Sequence, residues 1–260
     1  MSYLTCVCIL SASLLVLFAV PAVEAADVYQ VFEPREHTSG DHKLLYRLMK
    51  PNDYDPNKKY PLVLFLHGAG ERGDDNKAQL KHGMPEFATD IIRNKFPAFV
   101  VAPQCPNNKK WCEVDWGANE HAMPAEPSDP LRLTFEVLEK LQKEFSIDAN
   151  RLYVTGLSMG GYGTWDCLQR KPGMWAAAMP ICGGGDLDGA KAMKDIPIWN
   201  FHGDLDGAVK PERSRKMIAA IKAAGGSPKY TEYILTGHDS WVPAYRTPEH
   251  YEWLFAQKKK

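Results

Sequence analysis

The stretch Leu152-Tyr153-Val154-Thr155-Gly156-Leu157-Ser158-Met159-Gly160-Gly161-Tyr162-Gly163-Thr164-Trp165 (152–165) decides the architecture. An apolar run of strand character enters a Gly-x-Ser-x-Gly turn, and residues able to form a helix follow. A serine on so sharp a strand-to-helix turn has a strained backbone, and the positions two residues either side of it lack room for a side chain. Both are glycine, Gly156 and Gly160. Such a turn lifts the Ser158 hydroxyl clear of the sheet. It also aims the Met159 N–H and the helix N-terminus at negative charge developing beside it. Ser158 is the candidate nucleophile.

Outward from this turn the same pattern recurs: a short apolar run, a glycine-rich turn, an amphipathic stretch. Strands are expected at 43–48, 62–66, 99–102, 152–155, 177–181, 198–201 and 231–235, with an antiparallel edge strand at 28–32. Several are near-continuous apolar runs, as strands buried on both faces require. Helices are expected at 131–145, 211–224 and 248–255. The first places Leu131, Phe135, Leu138, Leu141 and Phe145 on one face, and the second stops at Gly225-Gly226. The fold class is therefore α/β: one domain over 26–260, a mostly parallel sheet with helices on both faces. Between the strands at 177–181 and 198–201 there is no space for a cap domain.

A serine hydroxyl needs a base to take its proton. In folds of this kind the chain order is serine, acid, histidine, which leaves His202, His238 and His250 as downstream candidates. His202 leaves almost no room for an acid before it, and His250 falls inside the last helix. His238 follows a strand through Thr236-Gly237, at the sheet edge where such sites lie. The acid is expected after the strand at 198–201, where Asp204 and Asp206 both qualify. A second N–H for an oxyanion is expected from His67-Gly68-Ala69-Gly70, after the strand at 62–66. Ala69 is the first choice and Gly70 the second; His67 is read as a structural residue.

Bulk properties exclude other classes. The 260 residues carry a net charge of −1, with 45% hydrophobic and 24% charged residues, and no basic face for nucleic acid. Leu4 to Val20 is apolar and leads to Val23-Glu24-Ala25, so residues 1–25 read as a signal peptide, and the mature chain as secreted or periplasmic and off the membrane. Of six cysteines, Cys105, Cys112, Cys167 and Cys182 remain beyond it. Cys105 and Cys112 bracket a polar loop and are expected to form one disulfide; Cys167 and Cys182 read equally as buried thiols or a bridge. No CxxC spacing or matched histidine pair calls for a metal, the Asp-x-Asp-Gly at 204–207 lacks the remaining calcium ligands, and no cofactor is implied.

Taken together, HGAGERG (67–73), APQCP (102–106), GLSMGGYGTW (156–165), HGDLDGAV (202–209) and GHDSW (237–241) resemble a group within the α/β-hydrolases. The group holds secreted feruloyl and acetylxylan esterases, polyhydroxybutyrate depolymerases and related predicted peptidases. The resemblance spans nearly all of the chain after the signal peptide. It implies a serine esterase acting through an acyl-enzyme on small or polymer-linked, short-acyl or feruloyl-type esters. It further implies Asp206 as the acid and Ala69 and Met159 as oxyanion donors. A tryptophan lining the cleft would fall on Trp111 or Trp116, either of which reads equally as packing, as does Trp241. A prolyl-oligopeptidase-like peptidase would need a site for a charged peptide end. Glu71 and Arg72 lie in the right loop, but read rather as an ion pair or surface residues. A non-catalytic binding protein would be expected to have lost one of the three catalytic residues.

Overall fold

A computed structural model describes residues 27–259, so the signal peptide expected over 1–25 and its expected cleavage point lie outside the described residues. Eight strands form one sheet: β1 (Glu33–Ser39), β2 (His42–Met49), β3 (Tyr60–Leu66), β4 (Phe99–Gln104), β5 (Ile147–Leu157), β6 (Ala177–Ile181), β7 (Trp199–Gly203) and β8 (Lys229–Tyr233). Their order is β1-β2-β4-β3-β5-β6-β7-β8. β1, β2 and β4 pair antiparallel, and from β4 through β3 to β8 every pairing is parallel.

Strands in the middle of the sheet are apolar because they face protein on both sides. In β3, Leu62, Leu64 and Leu66 pack with the helices Asp129–Glu144 and Met159–Arg170. Val63 and Phe65, pointing the other way, pack with Met84, Phe87, Tyr245 and Tyr251. The helix Glu212–Ala223 adds Met217 and Ile221 to the first layer, and Pro248–Ala256 closes the second with Tyr251 and Leu254. Ser128 caps the Asp129–Glu144 helix by accepting the Leu131 N–H. Among the described residues no helix is long and apolar enough to cross a membrane.

Three expectations need correction. Residues 28–32 do not form the edge strand: Val28–Val31 is a helical turn capped by Asp27, and the edge strand is the polar β1 that follows. β1 is half exposed along its length, so it carries no apolar run, and its hairpin to β2 turns at Gly40 with φ +58°. β8 ends at Tyr233, leaving Ile234 and Leu235 as an exposed turn. Finally, Cys105 and Cys112 are not bridged; all four cysteines beyond residue 26 are free and buried. Cys105 packs in the layer under β3, whereas Cys112 sits in a separate cluster with Tyr162 and Val209. The two side chains serve different packing clusters, so closeness in sequence does not bring the sulfurs together.

The turn after β5 sets the tightest contact in the fold. A Cβ at Gly160 would stand 1.8 Å from the Leu66 carbonyl oxygen, and one at Gly156 would stand 2.5 Å from the Gly160 oxygen. Both obstacles are backbone and cannot rotate away. Gly160→Ala is therefore expected to destabilise the fold by at least ~3 kcal/mol, at the severe end for overpacking. Denaturant unfolding measures it, and a midpoint equal to wild type would show that the crossing relaxes.

Candidate active site

Ser158 sits at the tip of the β5 turn with φ +54° and ψ −117°, in the left-handed half of the map where a residue with a side chain is strained. Its N–H is held by the Ile181 carbonyl at 3.0 Å, and the helix Met159–Arg170 starts immediately after it. The strain is fixed by surroundings that include the glycine crossing above. Its result is a hydroxyl presented at the C-terminal edge of the sheet.

His238 reaches that hydroxyl from the far side of the sheet edge. Its Nε2 is 2.8 Å from Ser158 Oγ, and its Nδ1 is 2.7 Å from Asp206 Oδ2. The two loops that carry these residues are pinned to one another. Asp204 N–H donates to Tyr233 O, Leu205 N–H to Thr236 O, and Thr236 N–H to the Asp204 carboxylate. Asp204 thus ties the loops together, and Asp206 is the carboxylate that meets His238.

Asp206 has no exposed side-chain surface. Burial by itself would raise its carboxyl. Hydrogen bonds from His202, His238 and the Val209 N–H outweigh that, and hold it well below the usual carboxylate range. The Ala208 and Val209 N–H groups, each at 2.9 Å, take its Oδ1. His202 accepts from the Ser214 hydroxyl at Nδ1 and presents its Nε2–H to Val209 O at 2.9 Å and Asp206 Oδ2 at 3.2 Å. With its anion so anchored, Asp206 keeps the His238 proton on Nδ1 and leaves Nε2 free to accept from Ser158.

The loop after β3 lies opposite. His67 is fully buried, donates from Nδ1 to Gly68 O and accepts the Cys105 N–H at Nε2. Its own carbonyl accepts the indole N–H of Trp111. The imidazole is thus a neutral peg between this loop and the end of β4. The following Ala69–Glu71 turn brings the Ala69 N–H to the cleft, and neither it nor the Met159 N–H has a hydrogen-bond partner among the described residues. Two free N–H groups on the segments that meet at a serine hydroxyl are what a tetrahedral oxyanion would need.

The cleft that holds Ser158 has a volume of about 280 Å³ and is lined by Ala69, Glu71, His82, His238 and Trp241, among others. Two tryptophan expectations change here. Trp111 has no exposed surface and spends its N–H on His67 O, so it packs under the loop and cannot touch a substrate. Trp116 is half-buried against Val209 and Tyr162 with Lys110 over its ring, outside this lining. Trp241 takes the wall, edge-on to the His238 ring at 5.4 Å. Glu71 and Arg72 form no ion pair: Arg72 donates to Ala69 O, and Glu71 turns inward. The inward turn of Glu71 has no signal in the sequence, since a charged residue in a polar loop reads as solvated. Cys182, Asp206 and His238 offer donor atoms close enough for a metal, yet the Asp206 oxygens and the His238 nitrogens are already engaged in the hydrogen bonds above.

Residues 38–247 match the profile of the Esterase family. The chain belongs to that family. The fold superposes on the crystal structure of a thermostable esterase with a TM-score of 0.83 and 41% identity, over 89% of this chain and 64% of that one. Over 179 residues it is 29% identical to poly(3-hydroxyalkanoate) depolymerase C of Paucimonas lemoignei, covering 65% of this chain and 39% of that protein. A shorter match of 71 residues, 27% of this chain, is 32% identical to 11% of the bifunctional acetylxylan esterase/xylanase of Neocallimastix patriciarum. The chain spans less than two thirds of the length of each of these relatives. With a ferulic acid esterase structure it shares the fold alone, at a TM-score of 0.65 and 18% identity over 86% of this chain and 98% of that one.

The buried His67 of this Esterase-family chain has a pH consequence. Burial, reinforced by the nearby Arg72, overrides its bond to Gly68 O and lowers its pKa from 6.5 to about 4. The unfolded chain takes up that proton near pH 6.5 and the folded one near pH 4, so acidification across this window favours unfolding. Unfolding free energy is expected to fall by about 3 kcal/mol through His67 between pH 7 and pH 4. Denaturant titrations at pH 7, 5.5 and 4 on wild type and His67→Gln measure it; equal pH slopes would count against a neutral peg.

Proposed function

We propose that this chain is a carboxylic ester hydrolase that works through an acyl-enzyme on Ser158. One observation carries the reading: the hydrogen-bonded line Ser158–His238–Asp206, at 2.8 and 2.7 Å, beside the unpaired N–H groups of Met159 and Ala69. His238 takes the Ser158 proton at Nε2 as Oγ attacks the ester carbonyl. The Asp206 anion stabilises the resulting imidazolium, and the Met159 and Ala69 N–H groups hold the oxyanion. Collapse of the tetrahedral adduct expels the alcohol, which takes the proton back from His238. Water then enters by the same route, activated by His238, and frees the acid.

The substrates are short-acyl or aromatic esters of the feruloyl type, free or borne on a polymer. The small open cleft favours a compact acyl group, and an acetylxylan esterase, a poly(3-hydroxyalkanoate) depolymerase and a ferulic acid esterase are among the matched proteins. An acyl-enzyme route needs no metal or organic cofactor. Hydrolysis of p-nitrophenyl acetate and methyl ferulate tests the reading. Ser158→Ala is expected to lower kcat by ~10⁴-fold or more and Asp206→Asn by ~10³- to 10⁴-fold, with Asp204→Asn within a few-fold of wild type. Turnover surviving in Ser158→Ala, or lost in Asp204→Asn and kept in Asp206→Asn, would refute the assignment.

The chain is exported through residues 1–25 and acts outside the cytoplasm. The apolar run from Leu4 to Val20 and the small-residue pattern ending at Ala25 support this. N-terminal sequencing of the protein from a secreting host is expected to begin at Ala26; a retained Met1 in the mature protein would count against it.

A further inference from the structure

Glu71 lies in the same cleft and has no part in the chemistry described so far. Its side chain is 8% exposed, yet it lines the cleft that holds Ser158. Its backbone is fully used, the N–H on Gly68 O and the carbonyl accepting from Gln104 Nε2. Its carboxylate is not: no hydrogen bond reaches either oxygen among the described residues. The nearest cation-forming group is His82, whose Nε2 stands 3.6 Å from Oε1, beyond hydrogen-bonding distance. Arg72, the adjacent cation, is committed to Ala69 O and Lys109 O.

The carboxylate oxygens open to the cleft and take no donor from the protein, so a ligand seated there can complete them. The position says which part of a ligand would do so. A Cβ on Gly68 would stand 3.0 Å from Glu71 Oε2, so the carboxylate lies over the backbone just before the Ala69 N–H. An ester held at Ser158 with its oxyanion on Ala69 would bring to Glu71 atoms only a few bonds from the scissile carbonyl. The His82 ring packs on Trp241 at 5.4 Å, and Trp241 packs on His238 at the same distance, which closes the wall behind this spot.

We propose that Glu71 is a specificity-determining residue whose carboxylate accepts a hydrogen bond from a hydroxyl carried close to the scissile carbonyl of the bound ester. The proposal rests on the reading of Ser158 as nucleophile. The ligand class is a hydroxylated ester, with the hydroxyl on the acyl group or on the alcohol. A hydroxyl supplies the one hydrogen bond that a carboxylate oxygen accepts, and an ester can carry it on either side of the scissile carbonyl. The hydroxyl also engages a negative charge that would otherwise act against the oxyanion forming nearby. An ester without the hydroxyl leaves Glu71 unpaired and is hydrolysed more slowly.

Two pairs of esters of matched size test this by kcat/KM. Ethyl 3-hydroxybutyrate against ethyl butyrate carries the hydroxyl on the acyl side, and 2-hydroxyethyl butyrate against propyl butyrate carries it on the alcohol side. Wild type is expected to favour the hydroxylated member of at least one pair by roughly ten-fold or more, the effect of a hydrogen bond to a charged group. Glu71→Gln should narrow that ratio to a few-fold and Glu71→Leu should bring it near unity. Equal wild-type rates within both pairs overturn the proposal. So does a ratio that survives Glu71→Leu, or a loss in Glu71→Gln that falls equally on both members. In each of these cases Ser158-dependent hydrolysis of the unsubstituted esters leaves the nucleophile assignment standing. Failure of wild type on all four esters also overturns the proposal, and the nucleophile assignment falls with it where p-nitrophenyl acetate and methyl ferulate are left intact as well.

Discussion

The backbone crossing at Gly160, where a Cβ would overlap the Leu66 carbonyl, governs how close the helix Met159–Arg170 comes to β3. Because helix and strand meet without side chains between them, the chain must reverse within one residue after β5, and that residue is Ser158 at φ +54°. The same approach places the loop after β3 directly beside the serine. One steric fact thus fixes three things together: the exposed hydroxyl, the free N–H of Met159, and the adjacency of the Ala69 N–H. The strain of the turn is local, and the sheet on both sides of it is packed tightly enough to hold it.

The other half of the site comes from a different kind of constraint. Asp206 and His238 stand on separate loops, after β7 and beyond β8, and parallel strand pairing alone would leave their spacing loose. Hydrogen bonds from Asp204 and Leu205 to the segment 233–236 remove that freedom. Buried donors then fix the charge: His202 and two backbone N–H groups hold Asp206 as an anion despite its burial. His202, which the serine–acid–histidine order sets aside as a base, acts by positioning the acid. His67 does the equivalent for the opposite loop as a neutral peg, one ring bonding both the loop it starts and the end of β4.

The cleft between these halves is small, and its polarity is uneven. Trp241 and Leu157 supply apolar wall, while Glu71 brings a buried carboxylate to the same space. A site built only to hydrolyse any short ester has no use for that charge, which weakens the oxyanion field it sits beside. Its presence sets this cleft apart from a purely apolar pocket and puts the charge on the same turn as the free Ala69 N–H.

Sequence alone determined the sheet, most of its strands and the serine, because buried strands and glycine turns impose composition directly: Leu62 to Leu66 must be apolar, and Gly156 and Gly160 must lack side chains. It also pointed to Ser158 and His238, since motif order and strand ends carry that information, while Asp206 over Asp204 followed only from the family resemblance. It missed β1, whose half-exposed face needs no apolar run, and placed a strand on the apolar residues just ahead of it. It joined Cys105 to Cys112 and left Trp111 open between cleft and core, where tertiary packing sends the two thiols into different clusters and buries the indole against His67 O. Only the tertiary structure decided which tryptophan walls the cleft, that Asp204 ties loops while Asp206 meets His238, and that Glu71 faces inward. These depend on which side of a loop a side chain leaves, and that direction is set by contacts between residues far apart in the chain, which no local pattern records.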